Sequence, residues 1–114
     1  MGTVVRGGVW WGPAPLKGSG IYRPWLVLSD DSHPFSGVEC IAVGLPTTAH
    51  DGGIRITSRD WTDGGTLRES YVYPWYPTTL KHADADERQG TVDAELVDHV
   101  ADRLATYVGV TEEG

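Results

Sequence analysis

Apolar residues are spaced in two ways along the chain. Through residue 73 they come in short β-branched and aromatic runs cut by Gly and Pro, and from Thr91 onward they recur at helical intervals. The first run, residues 4–11 (Val-Val-Arg-Gly-Gly-Val-Trp-Trp), predicts a strand that stops at Gly12-Pro13-Ala14-Pro15, because proline cannot donate to a ladder. A loop follows through Lys17-Gly18-Ser19-Gly20. Residues 23–29 (Arg-Pro-Trp-Leu-Val-Leu-Ser) are apolar almost throughout and predict a strand buried on both faces, with Pro24 tolerable near its start or on an edge. Further strands are predicted over residues 38–45, over 54–58, where Ile54 and Ile56 alternate with Arg55 and Thr57, and over 70–73. Asp51-Gly52-Gly53 and Asp63-Gly64-Gly65 read as turns between them.

After Thr91, Leu96, Val97, Val100, Ala101, Leu104 and Val108 form one stripe, while Asp93, Glu95, Asp98, His99, Asp102 and Arg103 fill the other face. This pattern predicts an amphipathic helix capped by Thr91 or Asp93 and stopped by Gly109. One helix over a small, bent antiparallel sheet is the economical fold, a single domain over residues 1–114 with its core at 4–110. The fold class expected is mainly β with α, with about five to seven short antiparallel strands.

Composition narrows the picture. At 114 residues the chain builds one core, and no apolar run approaches the ~20 residues of a membrane-spanning helix. Residues 1–6 do not lead into an apolar signal stretch, so the chain reads as soluble and cytoplasmic. Cys40, the one cysteine, can form neither an internal disulfide nor a Cys-rich metal site. Sixteen acidic residues against nine basic ones give a net charge of −7, and Lys17 and Lys81 are the two lysines. That balance opposes phosphate binding in general. It also suits molar salt, where screening leaves an acidic coat with little long-range repulsion, and a halophilic origin would account for it.

Familiar catalytic signatures are missing. There is no Gly-x-Ser-x-Gly elbow, phosphate loop or dinucleotide fingerprint. His33, His50, His82 and His99 are scattered, with His82 and His99 read as surface residues, and Asp84-Ala85-Asp86 lacks the rest of a calcium loop. No metal or cofactor is expected.

The order of segments nevertheless resembles a known family. Gly8-Val9-Trp10-Trp11, a Pro/Gly loop, Arg23-Pro24-Trp25-Leu26-Val27-Leu28-Ser29, an apolar strand ending in Pro46-Thr47-Thr48, Ser70-Tyr71-Val72, and a helix introduced by Arg88-Gln89-Gly90-Thr91-Val92 together are similar to the PemK/MazF toxins. The resemblance implies a small SH3-like barrel of the PemK/MazF/CcdB type and a homodimer. It also implies a cognate antitoxin as partner and, in many members, cleavage of single-stranded RNA without a metal. On that resemblance Arg23 matches the active-site arginine and Thr47 the active-site threonine, with Thr48 the alternative one residue on.

Such cleavage uses the RNA 2′-hydroxyl as nucleophile, leaves 2′,3′-cyclic phosphate ends, and needs charge stabilised on the phosphoryl oxygens. A guanidinium fork at Arg23 suits that task, stiffened by Pro24, and the Thr47 hydroxyl can donate to the same phosphate. Two family features are missing: the loop before Arg23 carries no carboxylate, and Pro74-Trp75 stands where many members have Asp-Gln. Ser19, Tyr22 and His50 are the nearby polar groups that could substitute, with His50 the best general base. Trp75, flanked by prolines, is the candidate exposed aromatic for stacking an RNA base, whereas Trp10 and Trp11 must face opposite sides of one strand. The readings are therefore an endoribonuclease toxin, or a barrel of the same kind that binds without cutting. A gyrase-directed toxin ranks third, because Thr-Glu-Glu-Gly at the C-terminus offers no apolar anchor.

Overall fold

The computed structural model describes residues 3–14, 20–66 and 68–110. Among these residues eight strands and one α-helix follow in order: β1 (Gly8–Pro13), β2 (Tyr22–Val27), β3 (Glu39–Gly44), β4 (Ile54–Ile56), β5 (Trp61–Gly64), β6 (Ser70–Val72), β7 (Pro77–Lys81), β8 (Glu87–Val92) and α1 (Ala94–Tyr107). Six strands form an antiparallel sheet in the order β5-β8-β1-β2-β3-β7, and β4 pairs with β6. The two sheets are stitched where the chain leaves β3, since Tyr71 N–H donates to the Pro46 carbonyl at 3.0 Å and Tyr73 N–H to Gly44 at 3.3 Å. The architecture is the expected mainly β fold with a C-terminal helix, although eight strands exceed the expected five to seven.

Burial explains the alternation. Val9, Leu26, Val43, Ile56 and Val72 pack with Leu96, Val97 and Val100 of α1 on one side of the sheet, while Trp10, Trp25, Val27, Ala42 and Leu80 pack on the other. β2 is therefore buried on both faces, as its unbroken apolar run requires. Each such side chain contributes about 1.5–3 kcal/mol of transfer free energy. Trp25 also satisfies its indole, which donates to the Pro13 carbonyl at 3.1 Å. Asp93 caps the helix, its carboxylate accepting from Glu95 N–H at 3.3 Å, and Gly109 ends it at φ 93°. Val108, expected in the apolar stripe, is 71% exposed just past the last turn.

Three expectations need correcting. The first strand runs through Pro13, which pairs with Tyr22. Pro13 turns its nitrogen away from β2, toward an edge where pairing with β8 has already stopped at Trp11, so no ladder bond is lost. Asp63-Gly64 is not a turn but the end of β5. Its glycine, at φ 65°, faces Gly90 across the ladder, and a Cβ on Gly64 would strike the Gln89 carbonyl oxygen. Residues 88–92, expected as the lead-in to the helix, are part of β8, which is hydrogen-bonded to β1 on one side and β5 on the other.

Candidate functional site

β1 and β2 pair as a hairpin, and Tyr22 and Arg23 sit at its loop end, opposite Pro13 and Gly12. Arg23 and Trp25, two apart on β2, both meet Tyr76: the Arg23 guanidinium carbon lies 5.7 Å from the Tyr76 ring centre, and the Trp25 and Tyr76 rings are 5.8 Å apart. The Arg23 side chain is thereby held against an aromatic wall with its Nε buried and without a hydrogen-bond partner. Pro24 sets the neighbouring strand. Leu45 N–H donates to the Pro24 carbonyl at 3.1 Å, but proline returns no bond, so the β2–β3 ladder ends there and the chain turns through Pro46 to Thr47 and Thr48.

The result is a cavity of about 460 Å³, a size suited to a nucleotide-scale ligand. Tyr22, Arg23, Pro24, Thr47 and Thr48 line it together with Trp11, Leu45, Pro46, Thr66, Arg68, Ser70 and Gln89. Of the predicted residues the structure thus brings four into one place: Arg23, Thr47, Tyr22 and Thr48. Ser19 lies outside the described residues. His50 and Trp75 do not line the cavity. They belong to an exposed aromatic cluster beside it, where the two rings are 4.9 Å apart, Trp75 stacks on Tyr73 at 4.5 Å, and Tyr107 closes on Trp75 from the helix. His50 Nδ1 accepts from Gly52 N–H at 3.1 Å, leaving Nε2 as the nitrogen able to take a proton. The cluster touches the cavity wall through the Tyr73 hydroxyl, which donates to the Thr48 carbonyl at 2.5 Å.

Charge sets this cavity apart. The chain carries sixteen acidic residues, yet among the described residues none lines the cavity, whereas two arginines do. Arg68 is missed by sequence reasoning because it sits in an irregular segment with no periodic signal. Its backbone is fixed instead by neighbouring hydroxyls, Thr66 Oγ1 lying 2.7 Å and Ser70 Oγ 3.1 Å from its carbonyl oxygen. Trp11 and Tyr22 stack at 6.3 Å and 24°, forming a half-exposed aromatic surface at the mouth. Trp10 is buried, as one of the tryptophan pair had to be. His82, expected on the surface, is half-buried, and its Nε2 is fully enclosed near Cys40. Among the described residues no three His, Cys, Asp or Glu side chains gather as a metal site, and no helix is long and apolar enough to cross a membrane.

No protein-family model matches the sequence, and no curated protein does. Solved structures match along almost the whole chain. An endoribonuclease in complex with its cognate antitoxin, from a mycobacterial species, has a TM-score of 0.74 at 22% identity, covering 99% of this chain and 100% of that one. MazF from Deinococcus radiodurans (form I) gives 0.74 at 18% identity, covering 96% and 100%. The chain has the MazF fold. A further endoribonuclease from a mycobacterial species agrees, with a TM-score of 0.76 at 21% identity over 99% and 98% of the two chains. These likenesses concern backbone architecture. In this chain Arg23 stands at the start of β2 and Thr47 just beyond the end of the antiparallel β3, so the two strand termini lie side by side.

Proposed function

We propose that this protein is the toxin of a toxin-antitoxin pair, a metal-independent endoribonuclease that cuts single-stranded RNA and is neutralised by a cognate antitoxin. The observation that carries the reading is a cavity with two guanidiniums and, among the described residues, no carboxylate in an otherwise acidic chain, with Arg23 and Thr47 both on its wall. Such a site concentrates positive potential where a phosphodiester would lie. The buried, unpartnered Arg23 Nε is a donor held ready for an oxygen of the ligand, and the ring of Tyr76 keeps its fork from swinging away. The MazF fold, shared with endoribonucleases and with one solved together with its antitoxin, supports the same reading.

In this reading the scissile phosphate lies between Arg23 and Thr47. The 2′-oxygen attacks phosphorus, the 5′-oxygen leaves, and the guanidinium and hydroxyl stabilise the negative charge that builds up between those events. Thr48 and Tyr22 contact the flanking nucleotides. His50 would act from the rim, through Nε2, and Trp75 would offer its face to a base beyond the cavity. The functional unit is a homodimer, which sedimentation of the purified protein tests. The decisive assay incubates the protein with end-labelled single-stranded RNA in chelator, at low and at molar salt, and identifies 2′,3′-cyclic phosphate ends. Arg23→Ala and Thr47→Ala should each remove about 10²-fold or more of the rate. RNA left intact by the wild-type protein in both salt regimes refutes the proposal. If His50→Ala cuts as fast as wild type, His50 is not the base.

A further inference from the structure

A second cavity of about 520 Å³ opens on the far side of the segment that carries Arg68. Thr66, Arg68 and Ser70 line both cavities, so the two hollows adjoin at these residues. Within the second cavity lies a carboxylate, Glu69, but both of its oxygens are committed. Oε2 accepts from Arg55 at 2.7 Å and Oε1 from the Tyr71 hydroxyl at 2.9 Å. Those two bonds hold the Glu69 carboxyl below the usual carboxylate range, the tyrosine contributing first and the arginine second. With Arg55 and Arg68 against Glu69, the second cavity also carries net positive charge.

Aromatic side chains line both hollows, the stacked Trp11–Tyr22 pair in the first and the half-buried Trp61 in the second. Arg68 itself springs from a backbone that the Thr66 and Ser70 hydroxyls pin at its carbonyl. A junction cation on a fixed backbone, between two positively charged hollows flanked by aromatics, is the pattern that tracks a single strand of nucleic acid.

We propose that Arg68 grips the phosphate next to the one held by Arg23, so that the substrate is a single strand laid across both cavities and not one dinucleotide step in the first. This rests on the endoribonuclease reading above and adds to it a length requirement and a second anchoring residue. Arg68 is a binding residue, remote from the bond that breaks.

The test uses RNA oligonucleotides with a single 2′-deoxy sugar at the cleavage position, which bind and cannot be cut. One is a dinucleotide with one internal phosphate, the other a tetranucleotide with three. Arg68→Gln should weaken the tetranucleotide about tenfold at low salt. It should also lower the slope of log Kd against log salt by about 0.7, the value of one single-strand phosphate contact. The dinucleotide, lacking a second phosphate, should change by less than about twofold, and Arg68→Lys should restore most of the slope because it keeps the charge. Equal losses on both oligonucleotides, or an unchanged slope on the longer one, overturn the assignment even if the wild-type protein cuts RNA. Loss of affinity for a glutamate-rich peptide with tetranucleotide binding intact gives the second cavity to a protein partner and overturns it as well. If wild type binds neither oligonucleotide, the endoribonuclease reading fails first, and this assignment with it.

Discussion

Arg23→Met separates a residue kept for chemistry from one kept for packing. Methionine preserves the length and the apolar stem while deleting the charge and the buried Nε. Two energies change in opposite directions. The contact with Tyr76 at 5.7 Å is lost, a cation–π interaction worth about 0.5–2 kcal/mol. The penalty of an enclosed donor without a partner is also removed, about 1–3 kcal/mol. Among the described residues Arg23 makes no ion pair, so no third energy enters. The sum runs from about 1 kcal/mol less stable to about 2.5 kcal/mol more stable than wild type, a Tm change between about −4 and +10 °C at about 4 °C per kcal/mol for a domain of this size. RNA cleavage, in contrast, should fall 10²- to 10³-fold, about 2.7–4 kcal/mol of transition-state stabilisation, read as kcat/KM on a fluorogenic oligonucleotide. Stability retained while activity collapses is the signature of a side chain kept for chemistry at some cost to the fold. A Tm lowered by more than about 5 °C with cleavage retained would refute the reasoning and make Arg23 a structural residue.

Other consequences follow from the fold. Gly64→Ala must put a side chain at φ 65° against the Gln89 carbonyl, so unfolding in denaturant should show a loss of about 2–4 kcal/mol, whereas Gly37→Ala, with open space around it, should cost little. Burial pushes the Cys40 thiol up to about 11 from an ordinary 9.0, with the Glu39 carboxylate adding to the effect. The folded state therefore holds this proton more tightly than the unfolded chain, and the stability it provides is complete below pH 9.0 and lost as pH rises toward about 11. Cys40→Ala should flatten that part of the stability profile, and the native thiol should resist alkylation at neutral pH. Asp63 is held below its ordinary 3.8, first by the hydrogen bond from Arg88 at 2.8 Å, so its contribution is present above that value and disappears as the solution is acidified through the lower folded pKa. Asp63→Asn should make the acid limb of a denaturation curve shallower.

What the chain determined by itself was every element whose buried face is periodic. α1, with Leu96, Val97 and Val100 inward and Asp93 at its cap, is legible because a helical stripe is a local property. The same holds for β2 and β3, whose apolar runs fit burial whatever lies around them. Arg23 and Thr47 stood out only by their place at the ends of those strands and by family resemblance.

Tertiary structure decided the rest. β5 and β8 are rich in polar residues and glycine, and they become strands because backbone groups on either side need partners and because Gly64 and Gly90 let two chains approach closely. The cavity is assembled from the β1–β2 hairpin, the exit of β3, the segment before β6, and Gln89 of β8. Its positive charge is likewise invisible in a net charge of −7, since potential depends on which side chains converge and not on how many of each sign the chain contains. Arg68 belongs to the site for that reason: no pattern in the sequence marks it, and its neighbours in space place it on a nucleotide-scale cavity with no carboxylate on the wall among the described residues.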